Sequence, residues 1–253
     1  MTDHTSATHE HHWEYSWAPV AVVGGIFFLV VLGFTAWFQY ESAFLLTLFA
    51  GIGTPMLLAG IAKWIQEGMT QKLAIHNVAS IGMPIFIVSE IFIFLSLFAS
   101  YWMMRLGMDA WPPEGTPHIN KWLPLVMTVL LVASSLTYHK GEERLEDNDT
   151  AGFVRWLLLT LLLGGAFLAA TIWEYTNLVH EGFIPSTNAY STAFFTLTGF
   201  HASHVLLGLL VFVFILLPAL RGKVNGEFVK SAGIYWHFVD IVWFFVMSQV
   251  YYW

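Results

Sequence analysis

The chain has 253 residues, of which 57% are hydrophobic, 17% aromatic and 11% charged, with a net charge of −7 and no cysteine. A soluble domain carries about 25% charged residues, so there is too little charge here to coat a globule, and the acidity argues against a nucleic-acid surface. The lack of cysteine removes disulfides, thiolate-ligated iron–sulfur clusters, thiolate-bound copper and cysteine zinc sites.

Residues 1–17, MTDHTSATHEHHWEYSW, hold His4, His9, His11 and His12 among Asp3, Glu10 and Glu14. Such a cluster exchanges protons near neutral pH. It reads either as a solvated cytoplasmic segment or as a proton-collecting surface. It contains no Lys or Arg, so the basic region of a secretory signal is missing, and the first apolar stretch reads as a retained helix.

A spanning helix needs about 20 mostly apolar residues. Seven stretches qualify: 18–38, 43–65, 78–104, 122–138, 154–175, 190–218 and 233–252. The fourth is the shortest. This predicts an all-α, multi-pass membrane protein with spans one and two at 18–65 and spans three to seven at 78–252. The loop WPPEGTPHINKW, 111–122, is expected to be ordered by packing of its tryptophans. Lys63, Lys72, Lys140, Arg144, Arg155, Arg221, Lys223 and Lys230 fall on one side of the seven spans. Only Arg105 and Lys121 fall on the other. The positive-inside rule then puts the N-terminus in the cytoplasm, and the C-terminal YYW at the outer surface as part of an aromatic belt.

Within the spans, each ionisable residue needs a reason. A carboxylate at bilayer depth costs roughly 2.5–3.5 kcal/mol on insertion scales. The residues in question are Glu90 in span three, Glu174 in span five, His201 and His204 in span six, and His237 and Asp240 in span seven. At a rise of about 1.5 Å per residue, Glu90 and His204 lie at similar depth. A hydrogen bond between Glu90 and a histidine of span six, His204 in preference to His201, is therefore predicted. A protonated Glu90 that locks two helices, a proton-relay carrier, and a contact to lipid or a partner subunit all remain open. His201 and His204 share a helix face, but no acid accompanies them at metal-ligand spacing. A haem needs opposed histidines, which His201, His204 and His237 are able to supply. Hydrogen bonding between helices is the more frequent use of such residues, and His237, Asp240 and Trp243 are spaced to form a polar seam.

The stretches FIVSEIFIFLSLFASYW (86–102), WPPEG (111–115), SSLTYH (134–139), WEY (173–175), YSTAFFTLTGFHASHVLLG (190–208) and YWHFVDIVW (235–243) resemble, in order, subunit III of the haem–copper cytochrome c oxidases. The resemblance implies a seven-helix subunit with no catalytic residue, metal or cofactor of its own. In it, helices 1–2 splay from helices 3–7 around a lipid-filled cleft. It also implies direct packing against oxidase subunit I, a place beside subunit II, and bound phospholipids, with haem and copper in the partner subunits. The role implied is to stabilise subunit I and to support cytoplasmic-side proton uptake in a proton-pumping aa3-type oxidase. Glu90, Glu174, His201, His204, His237 and Asp240 become buried structural polar positions. Lys63, Trp64, Glu67, Arg221 and Lys223 become lipid-headgroup candidates.

A bacterial inner membrane is the expected location, with the mitochondrial inner membrane as the alternative. Three departures blur the branch of the family: the loop KWIQEGMTQKLAIHN is short, Thr171 stands where a glutamine is common, and Lys230 where a glutamate is common. Subunit III of a quinol oxidase is the near alternative. An independent ion or proton transporter is the alternative of another class, against which stands the lack of an internal repeat.

Overall fold

The computed structural model describes residues 16–70 and 78–253, and among these the regular structure is entirely helical. His4, His9, His11, His12 and Lys72 lie outside the described residues. Seven helices are long and apolar enough to cross a membrane. The chain divides into two compact units, Met1–His76 and Asn77–Trp253.

In the first unit, α1 (Ala18–Ile26) runs through a π-helical stretch, Phe27–Leu32, into α2 (Gly33–Phe38), and the chain returns as α3 (Ala43–Thr70). Three glycines set the distance between the two rods. A Cβ added to Gly25 would sit 2.6 Å from the Leu57 nitrogen. One on Gly53 would meet the Leu29 nitrogen at 2.8 Å, and one on Gly60 the Val22 nitrogen at 2.8 Å. Gly53 and Gly60 are two turns apart and so share a face. Backbone therefore lies on backbone, which is how helices gain dispersion contact where oil supplies no hydrophobic drive. The π turn falls opposite Gly53, where the ladder widens around Phe28 and Leu29.

The second unit holds α4 (Val78–Leu106), α5 (Trp122–Glu146), α6 (Thr150–His180), α7 (Ala189–Ala219) and α8 (Gly226–Met247), which ends in a π-helical turn, Ser248–Tyr252. α8 packs on α4, α5 and α7, while α6 packs on α5 and α7. The span containing α8 is the most enclosed of the seven. It therefore carries the largest residues of the interior, Trp236 and Trp243.

The helix ends follow local chemistry. Asp149 caps α6 by accepting from the Gly152 nitrogen at 2.8 Å, and Asn148 before it is left-handed. Asn188 and Ser191 form a reciprocal capping box at the start of α7. Asn225 accepts from the Glu227 and Phe228 nitrogens at the start of α8. Gly182, with φ +82°, ends α6 in a turn that returns the Phe183 nitrogen to the Leu178 carbonyl.

Several helices run past the spans read from the sequence: α3 continues to Thr70, α6 covers Thr150–His180 rather than 154–175, and the largest differences are at the fourth and seventh spans. The fourth span was expected to stop at 138, but α5 continues to Glu146. The seventh was expected to begin at 233, but α8 begins at Gly226. The α5 extension is polar and rich in Glu, Lys and Arg, which are good helix formers, and the α8 extension is opened by the Asn225 cap, so each helix continues past the apolar run that marks the span. Trp111 does order its loop, edge-on to Tyr101 and Tyr190 with centroids at 5.7 and 5.4 Å. Trp122 does not, being 76% exposed.

Replacing Gly25 by valine should push α1 off α3, with a loss of about 1–3 kcal/mol. Thermal unfolding in detergent should report a lowered midpoint, and an unchanged midpoint would remove the glycine contact as the determinant of this pairing.

Candidate functional site: buried polar pairs between the helices

The interior of the second unit is tied together by hydrogen bonds between helices. Glu90 on α4 meets His204 on α7, with Oε2 3.0 Å from Nε2. The two side chains are only 12% and 8% exposed. The other ring nitrogen, Nδ1, lies 2.8 Å from the Phe200 carbonyl oxygen. That oxygen has no proton to give, so Nδ1 carries a hydrogen and donates it. One further proton must then lie between Nε2 and Oε2, since without it two lone pairs would face each other. The pair is neutral overall whichever atom holds that proton. A neutral, hydrogen-bonded pair avoids most of the burial penalty that an isolated carboxylate would incur. Phe94 and Phe200 pack on the imidazole with centroids at 5.1 and 4.6 Å. The Tyr235 hydroxyl of α8 donates to the His204 carbonyl at 3.0 Å, which brings a third helix to the same point.

Glu174 on α6 is buried and accepts from the Tyr251 hydroxyl at 2.7 Å. Tyr251 had been assigned to an outer aromatic belt together with Tyr252 and Trp253. It is instead buried, with its ring against Phe194 and Trp243. The neighbouring Tyr175 hydroxyl lies 2.6 Å from Thr198 Oγ1. Thr198 already donates to the Phe194 carbonyl at 2.6 Å, so Tyr175 is the donor of that bond.

The remaining polar positions behave differently. His201 is fully enclosed and makes no hydrogen bond through either ring nitrogen. It stacks on Trp243 at 5.2 Å and meets Phe167 edge-on at 5.7 Å. The structure does not bring it to an acid. Asp240 is buried with Oδ1 unpartnered, as is the enclosed Ser135 hydroxyl of α5. His237 was expected to be buried but is only half-buried. It lines an open cavity of about 300 Å³ with His139, Glu142, Glu146 and Lys230. It lies on the outward face of α8, between the exposed Ile234 and Ile241, while Trp236 and Phe238 beside it are buried. No three His, Asp or Glu side chains among the described residues converge where a metal ion would sit.

The headgroup candidates lie on both units. In the first, Lys63 pairs with Glu67 at 3.4 Å, the Ser16 hydroxyl donates to Glu67 at 2.7 Å, and Trp64 is 61% exposed. In the second, Arg221 and Lys223 are exposed on the α7–α8 connection.

Sequence reasoning missed the ties between α5 and α8. Trp236 donates to Ser134 at 3.0 Å, Trp243 to Thr128 at 2.8 Å, and Tyr138 to the Val229 carbonyl at 2.8 Å. A signal was present in the spacing. The two indoles are two turns apart on α8, and their hydroxyl partners stand six residues apart on the antiparallel α5.

These features define a multi-pass helical membrane protein in which Glu90, Glu174 and the indoles of Trp236 and Trp243 find partners on neighbouring helices. The family model described as cytochrome c oxidase subunit III matches residues 9–253, so the chain belongs to the cytochrome c oxidase subunit III family. A Synechocystis protein named cytochrome c oxidase subunit 3 is 40% identical over 174 residues, covering 67% of this chain and 73% of the relative. A Nocardia farcinica protein named probable cytochrome c oxidase subunit 3 is 41% identical over 180 residues, covering 70% of this chain and 88% of the relative. The Corynebacterium diphtheriae protein named cytochrome c oxidase subunit 3 is 38% identical over 182 residues, with the same coverage of 70% and 88%.

Replacing Glu90 by alanine should leave His204 Nε2 buried without a partner and destabilise the unit by about 1–3 kcal/mol. Glutamine, whose amide can donate to Nε2, should recover most of that. Thermal unfolding of the three proteins in one detergent checks the order, and a glutamine variant no better than alanine would break the account of the shared proton.

Proposed function

We propose that this subunit is a non-catalytic, lipid-binding scaffold of a proton-pumping aa3-type cytochrome c oxidase. In this reading it packs against subunit I beside subunit II and sustains turnover. Oxygen reduction belongs to haem and copper in those partners. The observation that carries the reading is the pairing of Glu90 with His204 and of Glu174 with Tyr251. Each couple closes on itself between two helices. Such groups fasten a bundle.

The end of the spans that carries eight of the ten basic residues faces the cytoplasm in this proposal. Headgroup phosphates meet Lys63 and Trp64 at the inner end of α3, and Arg221 and Lys223 at the α7–α8 connection. The exposure of Trp64, Arg221 and Lys223 supports this. So does general membrane electrostatics, which favours basic residues at an anionic leaflet by about 1 kcal/mol each. Glu67, held by Lys63 and Ser16, orients the lysine rather than meeting lipid itself. The His4, His9, His11 and His12 segment then lies on the same side, where it gathers protons for uptake by subunit I.

Neutralising both Arg221 and Lys223 with glutamine should lower the phospholipid retained by the purified oxidase. It should also shorten the enzyme's working life under turnover, with initial oxygen consumption nearly unchanged. Lipid phosphorus per complex and the decay of oxygen uptake measure this. Unchanged lipid content and lifetime would remove the headgroup role.

A further inference from the structure

The two basic residues on the opposite side, Arg105 and Lys121, form no ion pair with any described carboxylate. Both sit on the aromatic residues that end the chain. The Arg105 guanidinium carbon is 5.9 Å from the Trp111 ring centre and 5.8 Å from that of Trp253. The Lys121 ammonium is 5.8 Å from the Tyr252 ring, and the Tyr252 hydroxyl donates to the Lys121 carbonyl. Tyr101 closes the group, with its ring 5.7 Å from Trp111 and 6.2 Å from Trp253.

Two donors in this cluster have no acceptor: Arg105 Nε and Trp111 Nε1 are both enclosed and unbonded. A half-buried guanidinium flanked by indoles keeps its charge but has lost part of its hydration. Its remaining N–H groups favour a doubly accepting anion. The nearby carboxylates Asp109 and Glu114 are exposed and do not supply one.

Depth decides which anion. Arg105 is the penultimate residue of the span Gly82–Leu106, so it stands where a bilayer places its phosphates. Met103 and Leu106 beside it are 78% and 74% exposed and offer apolar ground for an acyl chain. Trp253 and Trp122 at the same level are exposed indoles of the kind that settle among headgroups. We propose that Arg105, held between the Trp111 and Trp253 indoles, binds the phosphate of a phospholipid at this end of the bundle, with an acyl chain lying along Met103 and Leu106. The site is separate from the headgroup positions on the Arg221 side, because α4 carries Arg105 to the other end of the second unit.

The test uses the oxidase complex containing this chain, stripped by stepwise detergent washing, with bound phospholipid counted by native mass spectrometry. Arg105→Gln should lose one slowly exchanging phospholipid at least about tenfold faster than the wild type. Arg105→Lys, which keeps the charge but not the fork, should fall between them, and the Arg221/Lys223 double variant should retain this lipid. Equal retention in wild type and Arg105→Gln overturns the proposal. So does a variant that keeps its lipid but detaches from the complex, because the partner would then be a subunit carboxylate. Should Arg105→Gln fail to assemble, the wild type decides. In a bilayer, solid-state NMR should show coupling between the Arg105 guanidinium carbon and lipid phosphorus, and no coupling overturns the site.

Discussion

Oil offers no hydrogen bonds, and the second unit is organised around that fact. A polar atom inside the bilayer must find its partner within the chain or carry a penalty of several kcal/mol. Helices satisfy their own middles and leave side chains and helix ends outstanding. The side chains are answered between neighbours, Glu90 by His204 and Glu174 by Tyr251. The indoles of Trp236 and Trp243 are answered by hydroxyls on α5. Since each bond joins two helices, the requirement for satisfaction is also what fixes their order and rotation. α8 together with the π turn that ends it takes part in more of these bonds than any other helix, which agrees with its central position.

The two units solve the packing problem by different means. In the first, Gly25, Gly53 and Gly60 let backbones touch, and dispersion does the holding. In the second, bulky aromatic residues fill wider gaps and reach across with polar tips. Enclosed polar atoms lack bonds in two places, around His201, Asp240 and Ser135, and at the Arg105–Trp111 cluster. For His201 the compensation is aromatic, an imidazole stacked on the Trp243 ring and edge-on to Phe167. For Asp240 the neighbour is polar, the Ser135 side chain of α5.

Much of this was legible in the sequence because bilayer thickness imposes a length on every apolar run. The seven spans follow from that, and so does the depth match between Glu90 and His204. Helix ends were less legible. The polar extension HKGEERLE carries no apolar signal, yet it continues α5 by two turns. Rotational detail was the least legible. Hydropathy cannot tell a tyrosine in a belt from a tyrosine in a core, so Tyr251 was misplaced while Tyr252, one residue on, is indeed exposed. The outward turn of His237 was hidden for the same reason. Local pattern gives its depth, while the neighbours that uncover it belong to a helix a hundred residues earlier in the chain.

The π-helical turn at Ser248–Tyr252 has a consequence for assembly. Tyr101 and Trp102 of α4 donate to the Gln249 carbonyl and side chain, Tyr190 of α7 donates to the Val250 carbonyl, and Tyr251 reaches Glu174 of α6. Three helices are thus fastened to five residues that leave the ribosome after all of them. Until that clasp arrives, α4, α6 and α7 insert with those tyrosine hydroxyls and the Glu174 carboxyl still unanswered. Completion of the bundle must therefore wait for its seventh span rather than proceed helix by helix.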